Sequence, residues 1–241
     1  MDTISSLTIR FQTLPDVPAP HSYSVELVLR PGIGRLPVSI NQHYFGREDL
    51  PEGEVEAEGF TQDDNFSWQG TLPSVWNSIL KTELAQLHLL EGEPEQLELL
   101  IQKDRREERG IPAQFSEWLF LTEQLTQACL EAGEKEQPME LVLGKLEKND
   151  FFEKGRIIWH FPEREMVVEV LNGQKQIFDD TDWLDSHVRM QTWLEAEALD
   201  KDLYQIPGTK GWYWLLNGSI WLNKTEYAHF PAQRWLMDKV N

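Results

Sequence analysis

The stretch from Gly211 to Trp235 constrains the fold more than any other part of this 241-residue chain. It holds four of the ten tryptophans (Trp212, Trp214, Trp221 and Trp235) and sets Asn217-Gly218 between two apolar runs. Asn-Gly in that setting signals a two-residue hairpin turn, because both central residues need positive φ. That turn predicts Leu216 opposite Ser219, Leu215 opposite Ile220, Trp214 opposite Trp221 and Tyr213 opposite Leu222. Alternation along a strand then places Trp212, Trp214, Leu216 and Trp221 on one face, and Tyr213, Leu215, Ile220 and Leu222 on the other. With both faces apolar, the hairpin reads as an inner strand pair. Core packing is the plainer role for its rings. A binding face built on Trp212, Trp214 and Trp221, for a sugar ring, a base or a partner protein, is the functional alternative.

Strand signals dominate the rest of the chain. Residues 3–12, 22–30 and 37–44 read as strands, and Leu14 to His21, with three prolines, cannot be regular. Segments 54–60 and 66–72 look like a further hairpin. Residues 97–102 fit a buried strand or a short helix, and the charged run 103–110 a solvated loop or helix end. Beyond them, 139–146 reads as a strand, and 156–161, 165–171 and 174–178 form a meander. Its second Asn-Gly, Asn172-Gly173, predicts Val170 opposite Lys175 and Val168 opposite Ile177, with Met166, Val168, Val170 and Ile177 on one face. Helical spacing marks 73–88, 113–132 and 181–203. Thr71 is the expected N-cap of the first helix and Gly133 the expected stop of the second. The expected class is α+β, mainly antiparallel sheet built from hairpins and meanders, with about three helices packed on it. The polar segment Gly133–Pro138 suggests a boundary between a unit at 1–135 and one at 136–241, unless the two form one continuous domain.

Charge narrows the partners. The formal net charge is −19. Residues 1–50 carry −1, 51–110 carry −9, 111–150 carry −5 and 151–241 carry −4, while 203–241 alone are +2. Such a chain repels nucleic acid and attracts a basic protein, or a second copy through its C-terminal segment. The opening MDTISSLTIRF has no basic start or unbroken apolar core, and no run of about 18 apolar residues occurs, so neither a secretory signal nor a membrane span is expected. One cysteine, Cys129, cannot form an internal disulfide, and a cytoplasmic location is expected.

One polar cluster could carry chemistry. Asp179, Asp180, Asp182, Asp185 and His187 lie within nine residues at a strand-to-helix junction. Carboxylates and an imidazole suit a divalent cation that activates water for hydrolysis. The competing role is helix capping, with Asp185 paired to Arg189 one turn on. His160 with Glu163, and Glu226 with His229, are weaker acid–base pairs. No phosphate loop, dinucleotide fingerprint, nucleophile elbow or zinc motif occurs, so no cofactor is expected and the chain leans away from an enzyme. The leading expectation is a cytoplasmic, non-enzymatic interaction module of the inhibitor or immunity type, with an acidic surface. A metal-dependent hydrolase using the Asp179–His187 cluster is the first alternative, and a small-molecule or carbohydrate binder using the tryptophan face is the second.

Overall fold

A computed structural model describes residues 4–104, 106–148, 150–197, 206, 210–223 and 231–240, with backbone alone at 191–197, 222 and 223. The fold is α+β, with two antiparallel sheets, and it divides into two compact units, Met1–Glu136 and Gln137–Asn241. Among the described residues no helix is long and apolar enough to cross a membrane.

The first unit contains strands β1 (Ile4–Gln12), β2 (Tyr23–Leu29) and β3 (Leu36–Tyr44), helix α1 (Glu52–Ala57), β4 (Phe66–Leu72), α2 (Ser74–Gln86), β5 (Leu89–Leu90), β6 (Leu97–Lys103), β7 (Arg106–Pro112) and α3 (Phe115–Ala132). The strand order is β4-β3-β2-β1-β6-β7-β5. Period-two alternation sorts its faces. Leu7, Ile9, Val25, Leu27, Leu29, Val38, Ile40, Leu97, Leu99 and Ile101 are buried, and Trp76 and Leu80 of α2 and Trp118, Leu121 and Leu125 of α3 complete the core. Full burial of each large side chain contributes roughly 1.5–3 kcal/mol. The opposite face is polar, as an antiparallel sheet with one solvated side requires. Asn77 of α2, 3% exposed, fixes the β2–β3 turn by accepting from Gly32 N–H (3.2 Å) and donating to Gly34 O (2.5 Å).

Several expectations change in this unit. Residues 54–60 are not a strand: Glu52–Ala57 is helical, and Val55 is its one buried residue. Residues 106–110 of the charged run are strand rather than loop or helix end, with Leu100 paired to Arg109. Proline 73, not Thr71, stands at the N-cap of α2. Helix α3 stops at Gly133 as expected, but not through a left-handed glycine. Gly133 has φ −91° and Glu134 takes the left-handed conformation, at φ 59°. Lys135 N–H then bonds Leu130 O (2.9 Å), closing the last turn.

The second unit contains β8 (Met139–Glu147), β9 (Asp150–His160), β10 (Glu165–Val170), β11 (Lys175–Phe178), α4 (Asp180–Glu197), β12 (Gly211–Leu216), β13 (Ile220–Asn223) and α5 (Pro231–Val240). The order is β11-β10-β9-β8-β12-β13. Leu141, Leu143, Ile157, Trp159, Met166, Val168 and Trp214 share the buried face. Trp183 of α4 and Leu236 of α5 are fully buried as well. With α1 and α5, the described helices number five rather than three.

Both Asn-Gly hairpins form, and both are displaced by one residue from the expected register. Leu216 pairs with Ile220, Leu215 with Trp221 and Trp214 with Leu222. Glu169 pairs with Lys175 and Val167 with Ile177. Each connection takes three residues instead of two: β13 begins one position later, opposite Leu216 at Ile220, and β10 ends one position earlier, with Val170 opposite Gln174. A one-residue slip moves every side chain to the other face. Ile177 therefore leaves the Met166–Val168 face and is 56% exposed. Trp221 leaves the face of Trp214 for that of Tyr213 and Leu215.

Candidate functional site

The Asp179–His187 cluster is a helix start. Asp179 Oδ1 accepts from Thr181 N–H (3.2 Å), and its carbonyl accepts from Trp183 N–H (2.8 Å), so Asp179 caps α4. Asp180 pairs with the buried Arg164 guanidinium, which also lies over the Trp183 ring. Asp185 pairs with Arg189 one turn on, at 2.9 Å. His187 turns inward and stacks on Trp183 (centroids 5.2 Å, 20° between planes). Burial, and then the charge of Arg164, lowers the His187 pKa to about 4. Asp179 and Asp185 are exposed while His187 is buried. The five residues are not brought together, and among the described residues no group of three or more His, Cys, Asp or Glu is placed to hold a metal ion.

The tryptophan face is divided by the register. Trp214 is fully buried against the core, whereas Trp221 meets Tyr213 (6.2 Å) and Phe151 (5.2 Å) edge-on from the other side. Trp212 is half-buried. No single face presents all three rings. Cys129 is fully buried, and burial pushes its thiol up to about 12, so it stays protonated and unreactive. His160 pairs with Glu165 across β9 and β10, and Glu163 is exposed. Glu226 and His229, with Lys224 of the +2 segment, lie outside the described residues.

Two features of the first unit were not singled out from sequence. One is a charged row across the polar sheet face. Arg10 sits between Glu26 (2.8 Å) and Glu98 (3.6 Å), and Glu98 also meets Arg109 (3.0 Å). Two open depressions of about 370 and 340 Å³ adjoin this row and share Glu26 and Asn41. Two cations and two anions compensate one another here, leaving little net field.

The other is the segment Arg47–Asp64, where charge is not compensated. Arg47 is 1% exposed. Its guanidinium donates to Pro20 O (2.9 Å), Thr61 O (3.0 Å) and Asp64 Oδ2 (2.6 Å), and lies over the rings of Tyr44 (3.6 Å) and Phe60 (4.4 Å). Asp64 also accepts from the Thr61 N–H and hydroxyl, both at 2.8 Å. The one basic residue of the segment is thus turned inward, away from the segment's exposed acids. Glu48, Asp49, Glu52, Glu54, Glu56, Glu58 and Asp63 are all exposed around it. Among the described residues, a single basic side chain, His21, approaches any of these seven, at 3.8 Å from Glu58. The first unit has 24 acidic and 10 basic residues, so −14 of the −19 falls in it. A run of acids between hydrophobic segments was the available signal. What sequence could not show was the clamp that holds it in place.

No family model matches the chain, and no curated protein and no solved structure matches it.

Proposed function

We propose that this protein is a non-enzymatic interaction module whose first unit presents an acidic surface to a basic protein partner. The observation that supports this reading is the seven exposed carboxylates of residues 48–63, held on a segment whose only arginine is buried against Asp64. A clamped backbone presents the charges without the ordering cost of a free loop. The carboxylates spread rather than converge, which suits a field of lysines and arginines better than a single ion.

Binding of fluorescein-labelled octalysine, followed by anisotropy at about 50 mM salt, tests it. Converting Glu52, Glu54, Glu56 and Glu58 to Gln is expected to weaken binding at least about tenfold, since each lost close charge pair removes a fraction of a kcal/mol or more. Converting Glu83, Glu91, Glu93 and Glu95 to Gln removes the same charge elsewhere in the unit. Equal loss in the two variants, or no binding by the parent chain, would defeat the proposal.

A further inference from the structure

Every sheet edge exposes unpaired backbone groups unless something blunts it. In the first sheet the far edge is blunted: β5 has two residues, and β7 carries Arg106, Glu107, Glu108 and Arg109 in succession. The near edge is different. Strand β4, Phe-Ser-Trp-Gln-Gly-Thr-Leu, is seven residues long, with no charge and no proline.

Its hydrogen-bond phase can be read from its neighbour. Arg30 N–H bonds Pro37 O (3.0 Å) and Phe45 N–H bonds Ser22 O (2.9 Å), so the odd-numbered residues of β3 turn toward β2. Tyr44 N–H points the other way, to Asn65 Oδ1 (2.8 Å). Pro37, Ser39 and Asn41 pair with Thr71, Gln69 and Ser67. In an antiparallel ladder those three pairs are then the non-hydrogen-bonded ones, and Ser67, Gln69 and Thr71 turn their N–H and C=O groups outward. Arg35 closes one end, its guanidinium donating to Thr71 O and Thr71 Oγ1, both at 2.9 Å. Among the described residues no hydrogen bond reaches the backbone groups of Ser67 and Gln69 on that side.

The open end of the edge begins at Phe66, immediately after the acidic segment. Asn65 bonds Tyr44, and Arg47 lies over the same Tyr44 ring while gripping Asp64. The carboxylates of residues 48–63 are thereby held at the end of the sheet where β4 starts. We propose that β4 accepts an extended segment of a basic protein as an eighth, antiparallel strand, with lysines or arginines C-terminal to the paired stretch reaching the acidic segment. An antiparallel strand beside β4 runs from Leu72 toward Phe66, so its C-terminal end exits beside those carboxylates. Main-chain bonds to Ser67 and Gln69 supply register, and the flanking charges supply selectivity. The net charge of −19 favours this occupant over a second copy of the chain, which it repels. The inference rests on the acidic-surface reading and adds the strand to it.

The probe is a fluorescein-labelled peptide, Thr-Val-Thr-Val-Thr followed by four lysines, titrated with the full chain. Two further versions carry N-methyl groups on alternate backbone amides, one in each register. Tight binding is expected for the parent peptide, with one methylated register at least about tenfold weaker than the other. Gln69→Pro, which removes an outward N–H that makes no bond to β3, is expected to weaken the parent peptide similarly. Equal affinity for all three peptides overturns the strand pairing. If affinity is also lost on converting the 52–58 glutamates to Gln, the acidic-surface reading survives alone. If neither this peptide nor octalysine binds, both fail. A dimer in sedimentation equilibrium that Gln69→Pro abolishes names a second copy as the occupant and overturns the basic partner.

Discussion

Arg47 and Asp64 hold each other 2.6 Å apart, the arginine fully buried between the rings of Tyr44 and Phe60. Partial burial opposes the charge on Asp64. The Thr61 donors and the Arg47 guanidinium more than offset it and bring the Asp64 carboxyl down to about 2, with Lys135 adding a smaller pull. Breaking such a pair from one side leaves a buried charge without a counterion. Asp64→Asn is expected to cost about 3 kcal/mol in urea unfolding, and Arg47→Met less than Arg47→Ala, since methionine refills the space between the rings. If Asp64→Asn leaves the unfolding midpoint unchanged, the clamp contributes nothing to stability.

The same pair sets an acid limit for the first unit. The unfolded Asp64 carboxyl takes its proton near 3.8, the folded one near 2. Its contribution, about 2 kcal/mol, is therefore complete above pH 4 and is lost as pH falls from there to 2. Hydrogen exchange of peptides spanning residues 47–64, measured in stopped steps from pH 5 downward, is expected to show protection falling in that window. Asp64→Asn should flatten the profile.

His187 sets a different window in the second unit. Its ring lies against Trp183 and Phe161, with the Arg164 guanidinium close enough to oppose a second positive charge. Folded His187 takes a proton near pH 4, and the unfolded imidazole near 6.5. The unfolded state thus gains a proton first, so stability falls as pH drops from 6.5 to 4 and then levels off, a loss of about 3 kcal/mol. His187→Phe preserves the stacking and is expected to remove that slope from the exchange of α4 amides. A slope that persists in the variant would place its origin in another group.

The sequence reading located most strands because alternation survives in composition: Val25, Leu27 and Leu29 could face only one way. It missed register for a local reason. Asn-Gly marks the position of a turn, but the number of residues in the connection decides which side chains face each other, and here it is three in both hairpins. That single residue separates Trp221 from Trp214 and dissolves the three-tryptophan face. The segment 54–60 alternates glutamate with smaller residues and so imitates a strand, although it has one buried side chain, Val55, and folds as a short helix. Arg47 could not be read as a core residue, because the groups it bonds come from Pro20, Thr61 and Asp64. The capping role of Asp179 and the Asp185–Arg189 pair were legible, since both depend on spacing within one helix.

Gly155 lies on β9 beneath Leu236 of α5. A Cβ there would stand 2.5 Å from Glu169 O and 2.6 Å from Leu236 Cδ1. The second neighbour is the tip of a flexible side chain, but the first is backbone of the adjacent strand. Gly155→Ala is expected to cost about 2 kcal/mol in chemical denaturation, in the range for overpacked cores. Shortening the neighbour in the double variant Gly155→Ala with Leu236→Ala should not restore stability, because the carbonyl clash remains and a cavity is added. Recovery in the double variant would show that the side chain, not the strand spacing, is what demands glycine.

The end of α3 separates two roles that one glycine often combines. Gly133 provides space: its Cβ would lie 2.6 Å from Phe66 Cζ and 3.1 Å from Trp68 Cδ1, on the strand proposed to form the open edge. Glu134 takes the left-handed turn, at φ 59°, where a side chain crowds the following carbonyl. The two positions should therefore respond in opposite directions. Gly133→Ala is expected to destabilise the first unit by about 1–3 kcal/mol through the ring contacts. Glu134→Gly should stabilise it by up to about 1 kcal/mol, relief of the left-handed strain exceeding the greater chain entropy that glycine loses on folding. Urea midpoints of the two variants decide the matter. A Glu134→Gly variant less stable than the parent would mean that the glutamate makes a stabilising contact larger than the strain it carries.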